Sequence, residues 1–573
     1  MSAPDKSRLS EAFASCRSAF AGLGLFSLIV NMLMLTGPMF MLQIYDRVLT
    51  SGSLPTLIAL AALAMGLYGF LGVLDYIRTR ILVRVGRRLD EQLSDVSFDS
   101  AVMLSLRLGQ RSERMDPVRD LDQLRQFLSG PGPLAIFDVP WMPIYIAIIF
   151  LFHPLLGWLA VAGASVLMVL ILLNEVMSRQ PLAQAGQAGV RRAGLVEASR
   201  RNSEVLSAMG MLANIRALWN RENSGFLDRQ AQAADRIALF SSLTKTLRFV
   251  LQSAMLGVGA YLVLQQEITA GVMIAGSIIL SRALSPVEQA VAHWRGFVTA
   301  RQSLERLRTS IDQLPEDAPK TPLPSPAKSL QAKNVCVVPP GERILTLQGT
   351  SFTLKAGGGL GVIGPSASGK STLARALVGV WPVARGEVRL DGATLDQWDP
   401  AVLGSAIGYM PQDIELFGGS VADNIARFEA ERDDDAIIEA ARLAGVHDMI
   451  LSLEGGYDSE IGEAGTVLSA GQRQRIGLAR ALYRNPFLIV LDEPNSNLDA
   501  DGDAALTKSV QTMRERGSIV IVIAHRPSAI AGLDQLLVIQ NGRQEAFGPK
   551  AEVLAEMTKQ IAANKQGLKV VKD

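Results

Sequence analysis

The chain of 573 residues carries 56 Lys and Arg against 55 Asp and Glu, a net charge of +1, with 19% charged and 49% hydrophobic residues. Near-neutral charge without a long run of one sign argues against nucleic-acid binding by bulk electrostatics. The length allows more than one domain, and two cysteines, Cys16 and Cys336, in segments read as cytosolic, argue against a disulfide framework.

The first 20 residues read as a short cytosolic N-terminus, and residues 21–310 as a membrane domain. Residues 18–45 and 48–74 lack Asp, Glu, Lys and Arg. Each is long enough to cross a hydrocarbon core of roughly 30 Å, which takes about 20 helical residues. The uncharged run from Val139 to Asn174 is too long for one span, and His153-Pro154 supplies a turn near its middle. It reads as two helices, the first starting near Pro133 and carrying Asp138 close to the cytosolic interface. Phe249 to Gln266 is a fifth span. A sixth begins near Ala270 and runs through Arg282 toward Glu288, polar residues that suit a helix facing a pathway.

Arg78, Arg80, Arg84, Arg87 and Arg88 follow the second span, whereas the hairpin after the first is read as offering only Arg47. The bias sets the ends of the even-numbered spans, and both termini, in the cytosol. Connections of roughly 78–131 and 175–247, rich in Leu, Ala, Arg, Glu and Gln, are then cytosolic helical extensions long enough to reach a soluble domain. The first apolar stretch is longer than a signal h-region and is followed directly by a second span, which argues against a cleaved signal peptide. Residues 311–328, IDQLPEDAPKTPLPSPAK, hold five prolines and no apolar periodicity, and read as a linker.

From residue 329 to 573 apolar runs (LGVIG, LIVLDE, SIVIVIAHR) alternate with helical segments, the pattern of an α/β sheet. Gly364, Pro365, Ser366, Ala367, Ser368, Gly369, Lys370, Ser371 and Thr372 spell the phosphate-binding pattern G-x-x-x-x-G-K-[ST] between an apolar strand and a helix. The glycine-rich backbone wraps phosphates, Lys370 reaches the β- and γ-phosphates, and Ser371 ligates Mg²⁺. Downstream come GYMPQD with Gln412, LSAGQRQR with Ser469, Gly471 and Gln472, LIVLDEP with Asp492 and Glu493, and IVIAHR with His525. Asp492 at the end of an apolar strand is placed to hold Mg²⁺ directly or through water, and Glu493 to polarise the attacking water. On chemistry alone Asp492 could instead cap the next helix, and His525 and Gln412 could be structural.

The five strings in this order, with LSAGQ ending 20 residues before Asp492, resemble the ABC ATPases. The resemblance implies an all-α six-span transmembrane domain of the type I ABC exporter kind, followed by an α/β P-loop ABC nucleotide-binding domain. It makes His525 a switch residue that contacts the γ-phosphate, and Gln412 a lid-loop glutamine that senses Mg²⁺ and the membrane domain. It sets Ser469 and Gly471 against the ATP of the opposite subunit in a head-to-tail homodimer. Asp499 becomes a residue that communicates between the two ATP sites. Two departures stand out: Ala470 replaces the usual glycine, and NVCVVPPGERIL upstream of the P-loop lacks the aromatic that stacks on adenine in ABC exporters. Looser base selectivity is the expectation, since stacking contributes about 1 to 3 kcal/mol.

Fusion of spans and ATPase in one chain, with GYDSEIGEAG (Gly456 to Gly465) resembling an exporter coupling loop, points to export. QIYDRVLTSGSLPTL, FDVPWMPIYIAIIFLFHPLLG, DNIARF and DEPNSNLD resemble the permease/ATPase of type I protein secretion systems, in the PrtD-like branch that exports metalloproteases and lipases. That resemblance implies a periplasmic membrane-fusion adaptor, an outer-membrane TolC-like channel, and as cargo an unfolded polypeptide with an uncleaved C-terminal signal. It also implies a bacterial inner-membrane location among membrane lipid, with ATP and Mg²⁺ as cofactors. Some related exporters begin with a cysteine-peptidase domain; about 17 residues before the first span are too few for one, so Cys16 is read as inert. The alternative is a half-size exporter of lipid or small amphiphiles. Six spans argue against a soluble DNA-repair or ribosome-associated ATPase.

Overall fold

Apolar runs free of charge fold as helices because, inside a bilayer, each backbone N–H and C=O must be satisfied within its own segment. The computed structural model describes residues 8–109, 115–314, 320, 322–462 and 465–567. Among them, six helical segments are long and apolar enough to span a membrane: Arg17–Ser51, Leu54–Leu108, Gly132–Phe152, Pro154–Arg201, Leu212–Leu264 and Ala270–Ala292, here spans 1 to 6. Span 2 has 55 residues, span 4 has 48 and span 5 has 53. At 1.5 Å per residue, helices of that size run about 70 to 80 Å and leave 40 Å or more outside the hydrocarbon core. The chain separates into two units near residue 315.

In the first unit, Tyr145, Ile149, Leu156, Leu167, Leu251, Met255, Ile279 and Leu284 form one apolar core shared by spans 3 to 6. A second cluster joins α1 (Arg8–Ser15), the distal part of span 2, α2 (Pro117–Leu128) and α3 (Trp294–Asp312) through Leu9, Leu89, Leu93, Leu121, Leu124 and Leu307. Arg306 of α3 makes a bidentate ion pair with the buried Asp120 of α2. Spans 1 to 3 share a buried polar knot. Arg78 donates to Asp138 at 2.9 and 3.2 Å and to Asp75 at 2.8 Å, and Asn31 donates to Asp138 at 2.8 Å. The Tyr145 hydroxyl in turn donates to the Asn31 carbonyl at 2.7 Å.

Two details differ from the sequence reading. Arg47 is not in the first hairpin: it lies in a π-helical turn, Ile44–Val48, within span 1, and the chain reverses at Gly52 (φ +64°). The wider turn sets the Asp46 carboxylate at the start of span 6, where it accepts from Thr269 Oγ1 at 2.6 Å and Gly271 N at 3.0 Å. A Cβ on Gly271 would run into that carboxylate. The second difference concerns Glu288. It accepts from Arg248 of span 5 at 2.6 Å, an ion pair within the helix bundle that the residues of span 6 alone do not show.

The second unit is built on a sheet ordered β5-β4-β1-β2-β10-β9-β3-β8-β7-β6. Its strands are β1 Ser329–Val337, β2 Leu347–Lys355, β3 Gly359–Ile363, β4 Arg385–Leu390, β5 Ala393–Thr394, β6 Ile407–Met410, β7 Leu488–Asp492, β8 Ile519–Ile523, β9 Gln535–Gln540 and β10 Arg543–Pro549. Strands β9, β3, β8, β7 and β6 run parallel to one another, whereas β10 lies antiparallel to β9. Every residue of β7 and β8 is buried, as expected of strands covered on both faces. The helices that bear on the site are α4 (Lys370–Leu377), α5 (Val421–Ile425), α6 (Ala470–Leu482) and α7 (Ala500–Glu515).

Candidate functional site

In an open parallel sheet, ligand-binding residues collect at the carboxyl ends of the strands, because there the chain leaves the sheet into loops that meet helix N-termini. Strand β3 ends at Ile363, and the loop Gly364 to Gly369 leads into α4. Gly364 sits at φ +156°, with the carbonyl of Ile539 where a Cβ would lie, and Gly369 at φ +100°. Pro365, Ser366 and Ala367 form an exposed arch, Ala367 in the left-handed region at φ +61°. Ser368, Gly369, Lys370 and Thr372 are buried at its base, with Ser371 half-buried beside them. Lys370 Nζ donates to the carbonyls of Gly364 at 3.0 Å and Pro365 at 2.7 Å. Burial lowers the Lys370 pKa from its ordinary value, opposed by Glu493 and Asp492.

Strands β6, β7 and β8 are in register: Met410 pairs with Leu491 and Asp492 with Ile523. Residues just past the three strand ends therefore converge although up to 113 positions separate them. Glu493 is held by its N–H on Ile523 O at 2.9 Å and takes a strained backbone at φ +51°. One carboxylate oxygen meets His525 Nε2 at 3.0 Å and the other accepts from Gln412 Nε2 at 3.3 Å. Asp492, one residue earlier at the end of β7, is 1% exposed. Its two carboxylate oxygens are buried without a well-formed hydrogen bond, and so is the Ser368 hydroxyl. Burial raises the Asp492 pKa above the ordinary carboxylate value, with Glu493 adding to the rise and Ser371, Arg375 and Lys370 opposing it.

Orphaned oxygens on a buried carboxylate mark a place for a cation or a donor. With the Ser371 hydroxyl beside Asp492 and Gln412 at the neighbouring strand end, the donor set is all oxygen, which fits Mg²⁺.

Helix α6 starts at the signature string. Ser469 Oγ accepts from Gln472 N at 3.3 Å, and Gln472 Oε1 accepts from Ser469 N at 2.8 Å, a reciprocal capping box. Its first-turn N–H groups are the anion-facing end of a helix. Gly471 lies against the chain that follows Glu493, where a Cβ would stand 3.0 Å from Asn497 O. Asp499 caps α7 by accepting from Gly502 N at 2.8 Å, and also meets Arg475 Nη2 at 2.5 Å. That backbone bond, with Arg475 adding to it, holds the Asp499 carboxyl below its usual range. The helix-capping role that chemistry allowed for Asp492 thus belongs to Asp499.

Two residues of this region escaped the sequence reading. Gln474, in the second turn of α6 and 2% exposed, bonds the loop after Glu493, and Arg475 holds Asp499. Both lie in the GQRQR run, whose only visible signal was its charge and amide content. Of the coupling string Gly456 to Gly465, Glu463 and Ala464 lie outside the described residues. Its earlier part is bonded to the segment after Gln412: Val421 N donates to Ser459 O and Ile461 N to Gly419 O, each at 3.1 Å. Arg432 bridges Asp423 of α5 and Asp458 at 3.2 and 3.3 Å. In the stretch upstream of the P-loop, Glu342 N turns back onto Pro339 O at 3.1 Å and Ile344 is 74% exposed.

The ABC transporter family model matches residues 347–496, and the model of the ABC transporter transmembrane region matches residues 20–285. The type I secretion system ATP-binding protein PrsD of Rhizobium meliloti (strain 1021) is 50% identical over 561 residues, covering 98% of this chain and 96% of its own. The cyclolysin secretion/processing ATP-binding protein CyaB of Bordetella pertussis is 29% identical over 93% of this chain and 75% of its own. For the leukotoxin translocation ATP-binding protein LktB of a Pasteurella haemolytica-like strain the figures are 29%, 94% and 76%. The solved structure of a bacterial Atm1-family ABC exporter with ATP bound superposes with a TM-score of 0.83 at 24% identity, covering 96% of this chain and 99% of the other.

Proposed function

The chain belongs to the type I secretion system ATP-binding proteins of the ABC transporter family, and from that premise we propose that it drives an unfolded polypeptide bearing a C-terminal secretion signal across the bacterial inner membrane. It is a multi-pass membrane protein and an ATPase coupled to transport. The observation that carries the catalytic reading is Glu493, strained into position between Gln412 and His525 at the edge of three adjacent strands.

In this reading Glu493 accepts the proton of the attacking water while His525 and Gln412 hold its carboxylate in line. Lys370 exchanges the carbonyls of its own loop for the β- and γ-phosphates of ATP. Ser371, Asp492 and Gln412 hold Mg²⁺, which when bound offsets phosphate charge. Ser469 and Gly471 face the ATP of a second copy, making the working unit a homodimer with two composite sites. Both termini lie in the cytoplasm, and a periplasmic membrane-fusion adaptor and an outer-membrane TolC-like channel complete the path.

The test is ATP hydrolysis by the full-length protein in lipid nanodiscs, with and without the adaptor and a synthetic C-terminal signal peptide. Stimulation by peptide and adaptor is expected. Stimulation by lipid alone, with no binding of adaptor or peptide, would favour the half-size exporter of lipid or small amphiphiles.

A further inference from the structure

Gln474 is a buried amide whose nitrogen and oxygen are both bonded, and all its partners lie within residues 493–497. Nε2 donates to Pro494 O at 2.7 Å, with Ser496 Oγ at 3.2 Å and Glu493 O at 3.3 Å. Oε1 accepts from Asn497 N at 2.9 Å. The partners fix the amide's orientation, since a backbone N–H only donates and a carbonyl only accepts. The contact is also close in backbone terms, because Gly471 sits where a Cβ would press on Asn497 O. Arg475, one residue on, adds the ion pair to Asp499.

We propose that Gln474 is a positioning residue that couples the two ATP sites of the dimer, tying the helix that reads the partner's nucleotide to the loop that carries this protomer's own Glu493. The inference rests on the head-to-tail dimer proposed above. Its logic is mechanical: α6 is a rigid element with its start at the opposite subunit's ATP, and a bonded amide in its second turn transmits any shift of that helix to the backbone of residues 493–497. Loss of the partner ATP would then move Glu493 out of line without any change in what touches the local nucleotide. Coupling of this kind is a property of a physical link whose position both sites bias.

The experiment measures ATP hydrolysis against ATP concentration for the full-length wild type, Gln474→Met and Gln474→Glu, in nanodiscs. The wild type is expected to be cooperative. Gln474→Met keeps length but bonds nothing, so kcat should fall about tenfold, KM should change by less than about threefold, and cooperativity should be lost. Gln474→Glu turns a carboxylate toward carbonyl oxygens, and buried against those oxygens it binds a proton more readily than usual. As pH falls the protonated acid can donate to Pro494 O again. Its activity relative to wild type should therefore recover toward low pH, which a generally misfolded variant would not do.

A cooperative wild type with unchanged kcat and cooperativity in Gln474→Met overturns the proposal and leaves the dimer standing. A wild type without cooperativity removes the two-site reading, and the proposal with it. Should Gln474→Met fail to fold, the Gln474→Glu profile decides: a constant ratio to wild type across pH contradicts the proposal.

Discussion

The polar knot of spans 1 to 3 and the edge of strands β6 to β8 both bury charged groups, yet they treat them in opposite ways. Around Arg78, the carboxylates of Asp138 and Asp75, the Asn31 amide and the Tyr145 hydroxyl answer one another, and only Arg78 Nε is left over. At the strand ends the Asp492 carboxylate and the Ser368 hydroxyl have no well-formed hydrogen bonds, Ala367 and Glu493 sit in the left-handed region, and Lys370 turns back on its own loop. A satisfied buried network holds helices together, because breaking it leaves an uncompensated charge. An unsatisfied and strained one stores the cost until a ligand supplies what is missing.

The contrast breaks first at Glu493. Replacing it with Gln keeps size and hydrogen bonding but removes the proton acceptor, so hydrolysis should fall by about 100-fold or more while ATP binding persists. Phosphate release and nucleotide binding, measured on the same sample, check both halves, and undiminished hydrolysis would remove Glu493 from its role.

The knot should respond in stability instead. Arg78→Ala should destabilise the membrane unit by about 3 kcal/mol or more, whereas the double change Arg78→Met with Asp138→Leu should restore most of the loss. Thermal unfolding in detergent reads this. Equal destabilisation by single and double variants would mean that packing, not charge, holds the three spans.

Asp492 makes the stability of the ATPase unit depend on pH. Its folded pKa is raised, so the stability it contributes is fully present below the ordinary carboxyl range of about 4 and is lost as pH rises through the folded value. At neutral pH Asp492→Asn should therefore stabilise the nucleotide-free ATPase unit, by about 1 kcal/mol or more, while abolishing Mg²⁺-dependent hydrolysis. The advantage should vanish in acid. An Asp492→Asn protein no more stable than wild type at neutral pH would contradict the unsatisfied reading.

The smallest effect concerns the base. With no aromatic in the stretch from Asn334 to Leu345, GTP should support hydrolysis within about tenfold of ATP. A strong preference for ATP in paired titrations with Mg²⁺ would point to another adenine support.

Much of this was legible in the residues. The six apolar runs and the strand, loop, helix context of Lys370 follow from length, hydropathy and glycine placement, which are local signals. Glu493, Gln412 and His525 could be picked out by type, but their meeting depends on the register of three strands that sequence does not display. Gln474 was invisible for a different reason: a glutamine in a polar helix looks solvated until the fold buries it. The π turn at Asp46 and the Arg248–Glu288 pair were missed because each depends on a partner more than 30 positions away.

Purifying the full-length Glu493→Gln protein from cells, with ATP present, and identifying by mass spectrometry what travels with it tests whether this ATPase moves polypeptide. A polypeptide that retains its own C-terminus is the predicted companion. Lipid as the sole companion, with no polypeptide enriched over the wild-type sample, would contradict the account.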